Sequence, residues 1–500
     1  MSDLDDITNF LRARLGEAKI IDTHISRVVI GAARAFKIKK PVSFSYLDFS
    51  TREKRAAAAE TEVAINRRTA PQIYLGTRRI TRAPNGSLAL DGAGETVETV
   101  VEMRSFDQAD LFDQMAQRGA LSAQHMAQLT EKLAAFHRDA APRRDFGGAA
   151  GMAQILAIDE GALESSGLAT PERIVAFDRA LRDRLSELAP LLDARREAGK
   201  VRRCHGDLTL RNICLFAGEP TPFDAIEFDE RLATIDVLYD LAFLLMDLIH
   251  RDLAAHANLV FNRYLDAADE TDGLPALPFF MAVRASIRAH VTAAQAKGAT
   301  GDAAGKLRAE AESYFELAER LIAPCGRMLV AIGGFSGSGK STLAAALAPR
   351  LGPAPGARIL SSDRIRKALH GVAPAERLPA EAYAPAVSER VYARMRSEAA
   401  RALALGGAVV ADAVFDRPEL AAAIEEVARD NGARFTGFWL QAPREKMAGR
   451  IEARRGDPSD ATAEVLDMQL EKGAAPPSWR TLDAARDRAE VTAQAMACLG

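Results

Sequence analysis

The hydrophobic pattern changes character twice along the chain. Between residues 20 and 105, short β-rich runs (RVVIG, AFKIKK, QIYLG and ETVVEM) surround one helical stretch at 51–68. Alternation of period two around a segment of period 3.6 predicts a small mixed lobe. From about 106 to 322 helical periodicity dominates, interrupted at 203–228 by loop-like residues and two short runs, ICLF and PFDAIEF. Those runs predict a hairpin turning at 217–220. A junction is expected at LIAPCGR, 321–327, where Pro324 and Gly326 separate a helical run from a strand. Beyond it MLVAIGGF, a glycine-rich loop, STLAAALAPRL, ARILSSD, GAVVADAVF and ARFTGFWLQAP alternate strand and helix. Such alternation implies a parallel sheet wrapped by helices. The expected architecture is a two-lobed α+β domain over 1–322 (small lobe about 20–105, helical lobe about 106–322), then an α/β domain over 327–500.

Five hundred residues exceed what one hydrophobic core organises, in keeping with two or more lobes. With 65 Lys and Arg against 68 Asp and Glu, the formal charge of −3 offers no general attraction for nucleic acid or an anionic membrane. The four cysteines, Cys204, Cys214, Cys325 and Cys498, show no CxxC spacing and suit a reducing compartment. The start, MSDLDDITNFL, lacks the basic and apolar regions of a secretory signal, so a cytoplasmic location is expected. The most apolar stretch, 237–249, carries Asp240 and Asp247 and falls short of the ~20 residues that span a bilayer, which predicts a buried helix.

Candidate chemistry enters with Gly334-Phe335-Ser336-Gly337-Ser338-Gly339-Lys340-Ser341, a GxxxxGK[ST] run between an apolar strand and a helix. Glycines there let backbone N–H groups wrap a phosphate at the helix N-terminus. Lys340 is positioned for the β and γ phosphates of ATP, and Ser341 offers Mg²⁺ a hard oxygen. After the next strand, Asp363 is a candidate general base for an acceptor hydroxyl. Asp412, ending GAVVADAVF, is the candidate carboxylate for the metal. Arg450 and Arg454, four apart on one helix, suggest an arginine-bearing lid that neutralises the transferred phosphoryl group.

A second constellation lies upstream. His205-Gly206-Asp207-Leu208-Thr209-Leu210-Arg211-Asn212 has the form HGDxxxxN. Phosphoryl transfer needs a carboxylate near the acceptor hydroxyl, the role of Asp207, and an amide oxygen on the metal a few residues on, the role of Asn212. The following hairpin should bring a further acid beside Asn212. Alignment on the strand start favours Asp224, whereas the pair Ile226-Glu227 tips the balance slightly to Glu227.

On GFSGSGKS, SSDRIRKAL, VVADAVF and RIEARRGDPSDATAEVL, the second half resembles the small P-loop kinases, the group with gluconate-type, chloramphenicol-modifying and polynucleotide 5′-kinases. Asp363 and Arg366 match the acceptor-side positions of that group. On HGDLTLRN and the later DVLYDLA, the first half resembles the aminoglycoside phosphotransferase and choline-kinase group, a branch of the protein-kinase-like fold. That resemblance implies that Asp240 braces the catalytic loop from a buried helix. It also implies that AFKIKK offers a lysine to ATP, Lys37 before Lys39, paired with Glu62 or alternatively Glu60. The whole order resembles bacterial fusions of a phosphotransferase-like domain with an ATP-binding kinase domain. The implied activity is transfer of a phosphoryl group from Mg-ATP to a small-molecule hydroxyl at two centres. A nucleotide-binding sensor and a nucleic-acid 5′-end kinase are the alternatives.

Overall fold

The computed structural model describes residues 3–44, 47–453 and 458–499. Two compact units divide between Arg251 and Asp252, well ahead of the LIAPCGR junction expected from the sequence.

In the first unit an antiparallel sheet is ordered Lys19–Asp22, Ser26–Ile30, Arg34–Lys39, Glu95–Arg104, Tyr74–Arg82 and Leu88–Leu90. Along Arg34–Lys39, Phe36 and Ile38 point to one face and pack with Ile7 and Leu11 of the helix Asp3–Leu15. Ala35, Lys37 and Lys39 therefore share the other face, where Ala35 packs with Ala59 and Val63 of the helix Arg52–Asn66. Thr51 caps that helix by accepting the Lys54 N–H. The rest of the unit is mainly helical, with long helices at Ala123–Asp139, Gly148–Ser166, Pro171–Glu197 and Val237–His250. The last is buried along nearly its whole length, as its apolar run foretells.

The expected hairpin forms from Ile213–Phe216 and Glu219–Pro222. Its turn is the two residues Ala217 and Gly218, both with positive φ, the geometry that matches strand twist. The return strand lies upstream of the expected PFDAIEF run, beginning within the expected turn, and meets that run only at Pro222. It stops at Pro222, and Asp224 takes φ 62°, which removes 223–227 from the ladder.

The second unit holds a five-stranded, all-parallel sheet in the order Arg358–Ser361, Ala408–Asp412, Met328–Gly334, Arg434–Gln441, Arg480–Asp483. Leu329 and Ala331 join the core on one face, Val330 and Ile332 the core on the other. Both faces are thus covered, which is why these strands read as unbroken apolar runs. The α/β class expected for this half is the class observed.

The helix Ala254–Ala267 belongs to this unit because two of its asparagines are bonded to the edge of the sheet. Asn258 Nδ2 donates to the Pro355 and Ala357 carbonyls (both 3.1 Å). Asn262 accepts the Ile359 N–H at 2.7 Å and donates to Ala357 O at 3.2 Å. Hydrophobic periodicity does not report such polar docking, which accounts for the displaced junction. No helix among the described residues is long and apolar enough to cross a membrane.

Candidate active sites

In the first unit the two inward lysines meet a cluster of three acids. Glu62 is fully buried and divides its carboxylate, Oε1 accepting from Lys37 at 2.8 Å and Oε2 from Lys39. Lys37 also reaches Asp224 Oδ1 at 2.5 Å, and Lys39 also binds Glu227. Each lysine thus takes Glu62 and one further acid, Lys37 with Asp224 and Lys39 with Glu227. Glu60 is exposed and takes no part.

The acids differ in access. The Asp224 side chain is 42% exposed and that of Glu227 only 4%. Burial opposes ionisation of Asp224, but the Lys37 ammonium outweighs it and holds the carboxyl below the usual range. At Glu227 burial wins over Lys39, with Glu62 adding repulsion, and the carboxyl is pushed up. Lys37 is driven well above its ordinary value, since Asp224, Glu62 and Glu227 together outweigh the cost of its own burial. Asp224 is positioned from three sides. Its N–H donates to Tyr74 Oη at 3.1 Å, the next N–H donates to Asn66 Oδ1 at 2.8 Å, and Phe223 N–H is bonded to Asn212 O at 2.9 Å.

The loop His205–Asn212 hangs on Asp240. One Asp240 oxygen accepts the Gly206 N–H at 2.7 Å; the other accepts the His205 N–H at 3.2 Å and lies 3.0 Å from His137 Nε2. Gly206 has φ 86°, and a Cβ there would fall 2.9 Å from that of Ala233, so the turn requires glycine. Asp247, about two turns further along the helix, accepts the Leu210 N–H at 2.9 Å. Asn212 Nδ2 donates to Asp207 O and Oδ2, both at 2.9 Å. That commits the amide nitrogen to Asp207 and reserves the oxygen as an acceptor. Asp207 and Asn212 are thus one hydrogen-bonded pair.

In the second unit the carboxyl ends of the parallel strands converge. Asp412 ends its strand in register with Ser361 on one side and Ile332 on the other. Gly334, Ser361 and Asp412 thereby deliver the phosphate loop, Asp363 and the metal candidate to one crevice, at the point where the winding of the sheet reverses. A cavity of about 980 Å³ opens there, lined by Ser336 to Leu343 together with Asp363, Arg366, Asp412 and Arg450. Gly337 and Gly339 have φ 78° and 100°, turning successive amides inward at the start of the helix Lys340–Leu347. Oxygen donors at Ser341 and Asp412, the latter 3% exposed, fit a small hard cation.

Arg450, expected on an arginine-bearing lid, lines the cavity beside the phosphate loop. Its guanidinium is held by backbone carbonyls, Gly337 and Ser338 of the phosphate loop (3.4 and 3.3 Å) and Ala484 at 2.8 Å. Arg454 lies outside the described residues. Arg366 is 7% exposed, bonded to Ala382 O at 2.7 Å and stacked 4.8 Å over the Tyr383 ring. The sequence reading missed Tyr383, Asp460 and Gln469, which also line the cavity. Their roles depend on contacts across dozens of positions and leave no local motif.

Residues 329–476 match a family described as AAA domain, AAA_33. A protein of Mycobacterium tuberculosis, described as uncharacterized, is 29% identical over 484 residues, covering 95% of this chain and 94% of its own length. Among solved structures, a gluconokinase from Sinorhizobium meliloti is 23% identical over 34% of this chain and 91% of its own, with a TM-score of 0.26. A choline/ethanolamine kinase family protein from Mesorhizobium loti is 14% identical over 64% of this chain and 94% of its own, with a TM-score of 0.38.

Proposed function

We propose that this protein is an Mg-ATP-dependent phosphotransferase with two nucleotide-binding centres, each moving the γ-phosphoryl group to a hydroxyl of a small molecule. The observation that carries the reading is the second-unit cavity, where Lys340, Ser341, Asp363 and Asp412 face one space next to a phosphate-cradling loop. In this reading the loop amides and Lys340 hold the β and γ phosphates, Ser341 and Asp412 hold Mg²⁺, and Asp363 takes the acceptor proton. The metal supplies charge neutralisation along the phosphates. Phosphoryl transfer asks little covalent chemistry of a protein; it asks for alignment and fixed positive charge.

In the first unit Asp207 is the proposed base, Asn212 and Asp224 the proposed metal ligands, and Lys37 the phosphate contact. Asp224 is preferred to Glu227 because it is the accessible acid, whereas Glu227 is enclosed beneath Lys39. A second reading applies to this centre alone: it binds nucleotide as a sensor without efficient transfer. The turn between Ser26–Ile30 and Arg34–Lys39 favours it, being a tight Gly31 N–H to Arg34 O closure at 2.9 Å rather than a glycine-rich flap.

The test is Mg²⁺-dependent ATP hydrolysis and transfer into a panel of metabolites and oligonucleotides. Wild type is compared with Lys340→Ala, Asp207→Ala and the double variant. Two separable losses support two transferring centres. ATP binding without turnover, in every acceptor, sinks the transferase and leaves the sensor. Transfer confined to oligonucleotide 5′ ends, with steep salt dependence, points instead to a nucleic-acid kinase.

A further inference from the structure

One segment makes up a whole wall of the second-unit cavity: Ser459, Asp460, Ala461, Val465, Met468 and Gln469 all face it. Its helix, Ala463–Lys472, is capped by Thr462. The segment is anchored at both ends, to different things.

At the first end a single oxygen of Asp460 accepts from Lys367 Nζ at 2.6 Å, Tyr383 Oη at 2.6 Å and the Leu378 N–H at 3.0 Å. Lys367 is 1% exposed and also donates to the Glu376 carbonyl. Burial works against the Asp460 charge, but Lys367, Tyr383 and the Leu378 amide outweigh it and hold the carboxyl below its ordinary value. Burial and Asp460 in turn push the Tyr383 hydroxyl up, so that it stays a donor. All three donors belong to the acceptor side. Lys367 shares the helix Ser362–Leu369 with Asp363 and Arg366, and Tyr383 is the ring stacked on Arg366.

At the second end Gln469 Oε1 accepts the N–H of Ser336, inside the phosphate loop, at 2.8 Å. Gly473 then passes so close to Phe335 that a Cβ would fall 2.6 Å from the ring. Ala474 N–H bonds Asp416 O at 3.3 Å. Phe335 is itself packed edge-on against Trp439 at 5.1 Å, which gives this end a fixed seat.

We propose that residues 459–474 form a strap that couples the acceptor wall to the phosphate loop, with Asp460 and Gln469 as its positioning residues. A short helix held at both ends passes displacement of one anchor to the other. A shift of the acceptor wall therefore alters the amide arrangement that meets the nucleotide. The proposal rests on the reading of this cavity as the Mg-ATP and acceptor site.

The experiment measures Mg-ATP affinity and acceptor-free ATP hydrolysis of the full chain by calorimetry and phosphate release, with Lys37→Ala present throughout to remove the phosphate contact of the first-unit centre, so that every comparison reads the second-unit site. It compares wild type, Asp460→Asn, Gln469→Ala, the double variant and Tyr383→Phe, with Lys340→Ala as reference. Among the described residues Asp460 is hydrogen-bonded by Lys367, Tyr383 and Leu378, none of them in the phosphate loop, so a purely local role leaves nucleotide affinity alone. The strap requires Asp460→Asn to weaken Mg-ATP binding about fivefold, a typical coupling within one network. The double variant should be no weaker than the worse single one. Tyr383→Phe, which removes one donor and keeps the ring, should move the same way by less, and it carries the test if Asp460→Asn fails to fold. Unchanged affinity in Asp460→Asn and Tyr383→Phe, or effects that multiply in the double variant, overturns the strap. If wild type and Lys340→Ala bind Mg-ATP alike, the reading of the cavity falls, and the strap with it.

Discussion

Lys39 and Glu227 form an ion pair enclosed inside the first unit, the lysine side chain 0% and the glutamate 4% exposed. Lys39 also holds one oxygen of Glu62, so Lys39→Ala strands the buried Glu227 carboxylate and leaves Glu62 with Lys37 alone. The expected loss is about 3–5 kcal/mol, the range for breaking one partner out of a buried pair. Lys37→Ala leaves Glu62 paired with Lys39 and leaves Asp224 near water, so its cost should be clearly smaller. Hydrogen exchange of the amides in Arg34–Lys39 reads both effects locally. Equal losses would show that the two lysines are equivalent supports.

The same contrast separates the metal candidates. Asp224→Asn should lower first-unit turnover about 100-fold, the scale for removing one group that fixes transition-state charge, and Glu227→Gln should lower it less. The assay is run in a Lys340→Ala background to silence the other centre. The reverse order would return the role to Glu227.

Asp224 also fixes the sign of a pH effect. Its folded pKa is lowered, so the Lys37–Asp224 pair contributes in full above the unfolded value and is lost as pH falls through the folded one. The stability difference between wild type and Asp224→Asn should stay flat from neutral pH to about pH 4, the ordinary carboxylate value, and shrink only below it. Denaturant unfolding at a series of pH values checks this. A difference already fading at pH 6 contradicts the lowered carboxyl.

Asp240→Asn tests the brace beneath the His205–Asn212 loop. One carboxylate serves the amides of His205 and Gly206 and the ring of His137, and an Asn offers only one accepting oxygen to those groups. A loss of about 2–4 kcal/mol is expected for a buried charged acceptor. First-unit turnover should fall with it while second-unit hydrolysis persists. Loss of both activities together would mean that the damage is global.

The contiguous parts of this protein were legible in its sequence. GFSGSGKS and HGDLTLRN each place backbone and side chains of neighbouring residues in one loop, so spacing alone carries their geometry. The strands of the parallel sheet were legible because burial on both faces writes itself as continuous apolar sequence. Period two put Lys37 and Lys39 on one face, the mid-strand place favoured Lys37, and in the structure both lysines are ion-paired to Glu62. What the sequence could not carry is contact at a distance. Asp460 meets Lys367 and Gln469 meets Ser336 only through the fold, and neither pair leaves a periodic trace. The strand Arg480–Asp483 was missed because RTLD is short and half polar, an edge strand with little core to announce it.

The displaced junction yields a last prediction. Asn262 replaces a missing sheet neighbour: its carbonyl oxygen takes the Ile359 N–H and Arg358 Nη1 (3.2 Å), and its nitrogen bonds Ala357 O. Asn262→Ala leaves a backbone donor and a backbone acceptor at the edge strand without those partners, at about 1–3 kcal/mol for each group that stays buried. Asn262→Leu restores bulk but neither hydrogen bond, so it should rescue little. The edge strand Arg358–Ser361 leads directly into Asp363, so loosening it should also impair second-unit hydrolysis. Limited proteolysis after residue 357 and acceptor-free ATPase, measured on the same samples, should change in parallel for both variants. If Asn262→Leu behaves like wild type, the helix is held by apolar packing rather than by these hydrogen bonds.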